Sequence, residues 1–280
     1  MKQSKPSGVV ASGRLAESTL VRLPVLTEHL GPVAACSKRL ASRYANALRR
    51  GWAVGDWAEL SIAKVIYVQA PEAELPSTVE ALLKAVRNWE RKVAVLLDER
   101  LDCSALRPLA KAGAEIASLT HAPMSPYEVA LLEGDAGAMK LLRPMLRRSG
   151  VKTIHLQPGS KLAYSAGVAL GGALAVAVTE MAMRAVRAAG IDPATARRIV
   201  GRVVEVALRE TLASGRNSWS SPGAGNARAA TLEQTAALVA AERDAGLFAI
   251  NAVAAAMEMY GEDGSWLRAP ALASKAQRAP

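Results

Sequence analysis

The stretch Gln157-Pro158-Gly159-Ser160-Lys161-Leu162-Ala163-Tyr164-Ser165 divides this chain in two. Upstream of it, short β-branched runs alternate with helical stretches. Downstream, the strand pattern stops and Ala-rich helical segments follow. The upstream runs are Gly8–Ala11, Pro32–Cys36, Ala63–Gln69, Val93–Leu97 and Ala114–Leu119, with Val129–Leu132 as a further candidate. Buried parallel strands read as continuous apolar runs joined by helices, and this is that pattern. Helices are expected over 14–30 (interrupted at Pro24), 40–50, 76–90, 104–112 and 136–149.

After Gly159 a long helix is expected over Lys161–Ala189, closed by Gly190. Asp192-Pro193 then reads as an N-cap followed by proline at the first helical position. Thr231-Leu232-Glu233-Gln234 has the spacing of a capping box and predicts a helix start there. A last helix is expected over 247–260. The division is therefore an α/β domain over 1–157, a helical domain over 158–268 and a flexible tail over 269–280.

Composition narrows the class. The 280 residues carry a net charge of +10, only two cysteines and a single Phe. Cys36 and Cys103 exclude a disulfide scaffold and point to a reduced, cytoplasmic setting. The first residues, Met1 to Ser7, have no apolar run behind their basic side chains, which argues against a signal peptide. The arginines are scattered along helices and are not interleaved with aromatics, which argues against nucleic acid. Leu162–Thr179 lacks charge and contains Gly167-x-x-x-Gly171. It is short of large apolar side chains, so burial in a helical domain or a dimer is expected in preference to a membrane span.

The chemistry candidates lie at strand ends. Ligands of open α/β sheets bind outside the carboxyl ends of the strands. Ala11-Ser12-Gly13-Arg14-Leu15-Ala16 matches the dinucleotide turn Gly-x-Gly-x-x-Gly/Ala at Gly13 and Ala16, with Ala11 in place of the first glycine. The same stretch also suits a plain strand-to-helix turn. Ser37-Lys38-Arg39 after the second strand offers a hydroxyl and two cations where an NAD-preferring domain has a carboxylate. That set suits a ribose 2′-phosphate, hence NADP, or simply a capped basic helix start. Ala70-Pro71 would lie over the cofactor beside the switch point of the sheet. His121, in Thr120-His121-Ala122-Pro123, is a candidate proton donor or a hydrogen-bonded loop histidine. Lys161 is a candidate acid or carboxylate anchor, with Tyr164 and Ser165 sharing its helical face; a solvated first-turn lysine is the alternative. No metal-ligand cluster, Walker loop, nucleophile elbow or paired-cysteine motif appears.

In layout, Ala11–Ala16, Ser37-Lys38-Arg39, Val68-Gln69-Ala70-Pro71, Ser118–Pro123 and Lys161–Ser165 together resemble the Rossmann-like proteins with a helical C-terminal domain of unknown function. Those are relatives of pyrroline-5-carboxylate reductase and of the 3-hydroxyisobutyrate and 6-phosphogluconate dehydrogenases. The resemblance spans roughly residues 8 to 262. It implies a Rossmann-like NAD(P)-binding domain followed by an all-α domain of the 6-phosphogluconate dehydrogenase C-terminal type, which dimerises. It implies an NADPH-linked oxidoreductase acting on a small anionic carbonyl, imine or hydroxyacid. The alternative is a non-catalytic ligand- or partner-binding protein with a degenerate nucleotide site. By the resemblance Lys161 stands at the catalytic lysine of the hydroxyacid dehydrogenases and Ser165 at their asparagine. Asp98-Glu99 replaces the Ser-Gly those relatives often carry after that strand.

Overall fold

The structure is a computed structural model and describes residues 6–12, 19–122 and 129–268. Gly13, Arg14, Ala16, Pro123 and the 269–280 tail lie outside the described residues. The chain divides into two compact units, Met1–Val168 and Ala169–Pro280.

In the first unit the apolar runs become strands β1 (Ser7–Ala11), β2 (Leu30–Ala34), β3 (Trp52–Ala53), β4 (Val65–Gln69), β5 (Val93–Leu96), β6 (Glu115–Ala122), β7 (Val129–Gly134) and β8 (Lys152–His155). The helices are α1 (Thr19–Arg22), α2 (Lys38–Leu48), α3 (Leu75–Ala85), α4 (Arg107–Lys111) and α5 (Ala136–Arg148). The strands form one eight-stranded sheet in the order β3-β2-β1-β4-β5-β6-β7-β8, parallel except for the β6–β7 pair. Chain direction across the sheet reverses between β1 and β4. This is the switch point at which doubly wound sheets open a crevice beyond their strand ends.

Strand alternation sends side chains to two cores. Val9, Ala11, Tyr67, Val95 and Leu119 pack with Leu20, Tyr44, Leu142 and Leu146 of α1, α2 and α5. Val10, Ile66, Val68, Leu96 and Ile116 pack with Val79, Leu82 and Leu109 of α3 and α4. Burial on both faces explains why these strands are unbroken apolar runs.

Several local expectations shift. The second strand starts two residues early, at Leu30, and contains Pro32. The register between β1 and β2 slips there: Ser7 pairs with Leu30 but Val9 with Val33. A bulge at Gly31-Pro32 tolerates a residue with no N–H to give to the ladder. The expected helix 14–30 is interrupted near Pro24: α1 ends at Arg22 and a 3-10 turn follows over Pro24–Thr27. The strands β3 and β8 carry no apolar pattern strong enough to be read in advance.

The second unit is helical. Helix α6 (Lys161–Ala188) leads into it and is followed by α7 (Pro193–Ser214), α8 (Ala227–Ala241) and α9 (Arg243–Met259). The Asp192 cap is as expected, accepting hydrogen bonds from the N–H groups of Ala194 and Thr195. The Thr231 capping box does not form. Thr231 lies inside α8, and its hydroxyl donates to the Ala227 carbonyl at 2.8 Å, one turn back. A threonine bonded in this way satisfies itself within a helix and starts none. The core of this unit is Ile250, Ala254, Met257 and Leu267 with Trp219 and Trp266. Trp219 stacks on Tyr260 at 4.5 Å and its indole N–H donates to Glu262.

The β6–β7 hairpin leaves through Gly134, whose φ is +146°. A Cβ there would stand 2.4 Å from the Ile116 carbonyl oxygen and 2.6 Å from the Ala117 Cα, both backbone atoms of the paired strand. Gly134→Ala should therefore destabilise the protein by more than ~2 kcal/mol in denaturant unfolding. Gly150→Ala, at φ +76° with nothing within 4 Å, should cost only ~1 kcal/mol.

Candidate functional site

Helix α6 begins where Gln157-Pro158-Gly159-Ser160 turns back toward the sheet, with Ser160 donating twice to the Gln157 carbonyl. The first helical side chain, Lys161, is only 1% exposed. Its ammonium donates to Ser118 Oγ on β6 at 3.1 Å. Ser118 in turn donates to Glu133 Oε1 on β7 at 3.0 Å. Ser118 and Glu133 are directly paired across the antiparallel hairpin, so their side chains share one face. Glu133 Oε1 also accepts the Cys103 N–H at 2.9 Å. A three-residue chain, Lys161–Ser118–Glu133, thus runs through the interior of the first unit.

An ammonium has three donors, and this one makes a single hydrogen bond among the described residues. Glu133 Oε2 is buried with no hydrogen-bond partner among the described residues. Two under-used polar groups buried side by side are uncommon in a structural stitch and common where a ligand or proton must be handled. Burial pushes the Lys161 ammonium down to about 8, a fall that the carboxylates of Asp98 and Glu133 partly offset. The Cys103 thiol is pushed up to about 11 by burial and then by its acidic neighbours Glu133, Asp102 and Asp135. The thiol therefore stays protonated and is a poor nucleophile at neutral pH.

Register fixes the depth of this pocket. Ser118 is level with Leu96 on β5, Val68 on β4 and Val10 on β1, one layer in from the carboxyl edge of the sheet. Thr120, two residues further out on the same face, donates to the Asp98 carbonyl and holds the β5 exit loop. Tyr164, one turn along α6, packs on Ala122, Val129 and Leu131 of that face. Its phenol is pushed up by burial and then by Glu99. Ser165 is half-buried beside it. His121 lies differently. The unbroken register from Ala117 to Ala122 alternates its side chain to the opposite face of β6 from Ser118 and Thr120. The structure brings Lys161 and Tyr164 to one face and leaves His121 on the other.

The nucleotide candidates lie two to four strand steps from β6, at the ends of β4, β1 and β2, roughly 10–19 Å across the sheet at ~4.8 Å per step. Ala11 ends β1, and its methyl is turned into the core shared with α1 and α2. The carbon added in place of the first fingerprint glycine therefore does not project beyond the strand end. The Ser12 N–H donates to the Gln69 carbonyl at 2.9 Å, and its hydroxyl is buried with no partner among the described residues. A cavity of about 220 Å³ opens there, lined by Ser12, Cys36, Trp57, Glu74 and Thr78 among others. Ser37 caps α2, accepting the Leu40 N–H at 3.3 Å, while its own O–H remains able to donate. Ser37, Lys38 and Arg39 are all exposed. Ala70 is buried, and the Pro71 carbonyl accepts from Glu74 and Leu75 to start α3. The described residues thus fit a dinucleotide: a buried hydroxyl at Ser12 after β1, a cavity beside it and exposed cations after β2. No group of three or more His, Cys, Asp or Glu among the described residues has the arrangement of a metal site.

Sequence reading missed Ser118 and Glu133. Each looks like an ordinary strand residue, and only the hairpin pairing brings them under Lys161, 43 and 28 positions away in the chain. The available signal was a carboxylate inside the apolar run Val129–Gly134, which a buried strand carries only with a partner.

The chain of hydrogen bonds also sets a stability signature. A lysine whose folded pKa lies below its unfolded value of about 10.4 carries its full burial cost below pH 8 and loses it as pH rises toward 10.4. The stability of the parent protein relative to Lys161→Met/Glu133→Gln should therefore rise between pH 8 and 10. At pH 7, Lys161→Met alone leaves Glu133 buried beside no cation and should cost ~3–5 kcal/mol, and adding Glu133→Gln should recover a large part of that loss. Urea unfolding of the three variants across pH checks both signs.

Residues 129–242 match the family described as a domain of unknown function, DUF2520. The matched segment contains both Glu133 and Lys161. No curated protein matches the chain. Among solved structures it is similar to a putative NADP oxidoreductase from Bacteroides fragilis, at 11% identity and TM-score 0.67, over 89% of this chain and 97% of that one. It is similar to the imine reductase from Myxococcus stipitatus in complex with NADP+, at 13% identity and TM-score 0.62, over 91% and 94%. It is also similar to a pyrroline-5-carboxylate reductase from Coxiella burnetii, at 15% identity and TM-score 0.52, over 89% and 97%. At such identities the likeness shows the fold. Residues 129–242 are thus similar to the DUF2520 family, and the chain has the fold of Rossmann-type reductases with a helical C-terminal part.

Proposed function

We propose that the protein is an NADP-linked oxidoreductase acting on a small, anionic carbonyl, imine or hydroxyacid substrate. The observation that carries this reading is the Lys161 ammonium. It is buried one layer below the strand ends, makes a single hydrogen bond, and is held near a pKa of about 8. The fold's likeness to an imine reductase solved with NADP+ supports the cofactor.

A bound nicotinamide supplies hydride chemistry; the rest falls to the residues of this chain. Ser37, Lys38 and Arg39 bind the 2′-phosphate by charge-assisted hydrogen bonds. The Ser12 hydroxyl receives the pyrophosphate, with Ala70-Pro71 bordering the same crevice. Lys161 holds a proton at Nζ and delivers it to a substrate oxygen or nitrogen. A pKa near 8 keeps it charged at neutral pH and able to release the proton. Ser118 and Glu133 fix the ammonium in position, and the carboxylate keeps it from losing its charge outright. Tyr164 shares that face and borders the approach. His121, across the sheet, has no part in this transfer.

The test is a titration with both nucleotides followed by turnover measurements. NADPH should bind more tightly than NADH, and Arg39→Ala should remove most of the difference, about 1–3 kcal/mol. With a reducible substrate such as a cyclic imino acid, Lys161→Met should lower kcat by ~10²-fold or more while leaving NADPH affinity nearly unchanged. Equal affinity for the two nucleotides would remove the phosphate reading. Binding of neither at millimolar concentration would favour a non-catalytic protein with a degenerate site.

The protein's own second copy is the partner we propose for the helical region. Helix α6 has the length and composition of a membrane span, yet none of its most apolar window is buried within the chain. Leu174, Val176, Val203 and Leu212 of α6 and α7 are 54%, 70%, 62% and 78% exposed. A Cβ at Gly167 or Gly171 would meet nothing within 4 Å. Such a face is stable in water only when covered, and its small residues let a like helix approach closely. Light scattering should give a dimer at micromolar concentration without detergent, and Leu174→Arg/Val176→Asp should shift it to monomer or aggregate. A parent protein that is monomeric, or soluble only in detergent, would contradict the proposal.

A further inference from the structure

Tyr67 sits at the middle of β4 and is fully buried. Its hydroxyl has no hydrogen-bond partner among the described residues. An unpaired phenol in an apolar core costs free energy, so such a group in a folded protein asks for an explanation. Burial raises its pKa far above the ordinary phenol value, so it remains an O–H donor at any working pH.

Tyr67 also lines a cavity of about 530 Å³ in the first unit. Ser7 and Val65, the first residues of β1 and β4, line it too, so it opens at the amino ends of these strands. This is the opposite edge of the sheet from Ser12 and Ser37. Its walls are apolar: Val25 and Leu26 on one side, Leu141, Pro144 and Met145 of α5 on the other. The exposed lining residues Lys64, Lys140 and Arg148 carry three positive charges against one carboxylate, Glu28, with His29 nearby. The volume lies within the range of small-molecule sites.

We propose that this cavity is a second binding site, for an amphipathic anion with an apolar body and a hydroxyl or carbonyl at its far end. The apolar walls take the body. The far-end oxygen accepts the Tyr67 O–H and resolves the orphan donor. The anionic group stays at the rim among Lys64, Lys140 and Arg148. Removing the phenol oxygen then affects only ligands that carry the far-end oxygen, and removing rim cations affects only ligands that carry the charge.

Calorimetric titration of the full chain with 10-hydroxydecanoate, decanoate and 1,10-decanediol separates these contributions. One equivalent of 10-hydroxydecanoate should bind more tightly than either of the others. Tyr67→Phe should weaken 10-hydroxydecanoate about 5- to 10-fold, the scale of one hydrogen bond, and leave decanoate unchanged. Lys140→Ala/Arg148→Ala should weaken both acids, reduce their salt dependence and leave the diol unchanged. Leu141→Trp, which fills the cavity, should abolish binding without moving NADPH affinity. The melting temperature of unliganded Tyr67→Phe should equal or exceed that of the parent; a fall would mean that the phenol is already bonded inside the protein and would overturn the proposal. No binding at millimolar concentration would also overturn it. So would 10-hydroxydecanoate affinity unchanged by Tyr67→Phe, or binding that survives Leu141→Trp, since the acids would then be seated elsewhere, for instance on the exposed faces of α6 and α7.

Discussion

Lys161 reaches down from the first turn of α6 to Ser118, and through it to Glu133, across the antiparallel β6–β7 strand pair of the sheet. Burying an ammonium and a carboxylate is costly, and the cost is tolerable only when each holds the other through good hydrogen bonds. The position of α6 therefore depends on the β6–β7 pairing, which sets Ser118 opposite Glu133. A one-residue slip in that register would turn both side chains to the other face and strand the lysine. Gly134 closes the hairpin in a conformation and a space that only glycine fits, so the same constraint reaches the backbone.

The sheet supplies the second half of the arrangement. Its order makes a crevice between β1 and β4, and the cations after β2 and the lysine under β6 lie on either side of it. Ser118 is level with Leu96, the last residue of β5, and with Val68, the next to last of β4, and the burial there lowers the lysine pKa. In the proposed function, proton transfer would fall to Lys161 beneath β6 and charge recognition to the segment after β2, on different strands of the sheet.

The α/β half was legible in the sequence because strands buried on both faces must be written as apolar runs, as in Val65–Gln69 and Val93–Leu96. The long helices were legible through Asp192-Pro193 and Gly190. What stayed hidden was set by contacts distant in the chain. The strand β3 is two residues long and exists because β2 offers it an edge. Pro32 sits inside β2 because a bulge absorbs it. Thr231 mimics a helix start while bonding to its own preceding turn. In the site, Lys161 could be singled out from its place between the two halves, but Ser118 and Glu133 are ordinary letters until the hairpin pairs them. His121 shows the opposite error: its place near a strand end was readable, and the face it occupies was not.

The central claim is that Lys161 is buried, linked to Glu133 through Ser118, and poised to give up a proton near neutral pH. Side-chain NMR of lysine labelled at the ε-carbon, with Lys161→Met to assign the signal, measures this directly. One resonance should titrate near pH 8, well below the other lysines, and it should move further down in Glu133→Gln, where the carboxylate that favours the charged form is gone. A Lys161 signal that titrates above pH 10 with the exposed lysines, unaffected by Glu133→Gln, would contradict the account.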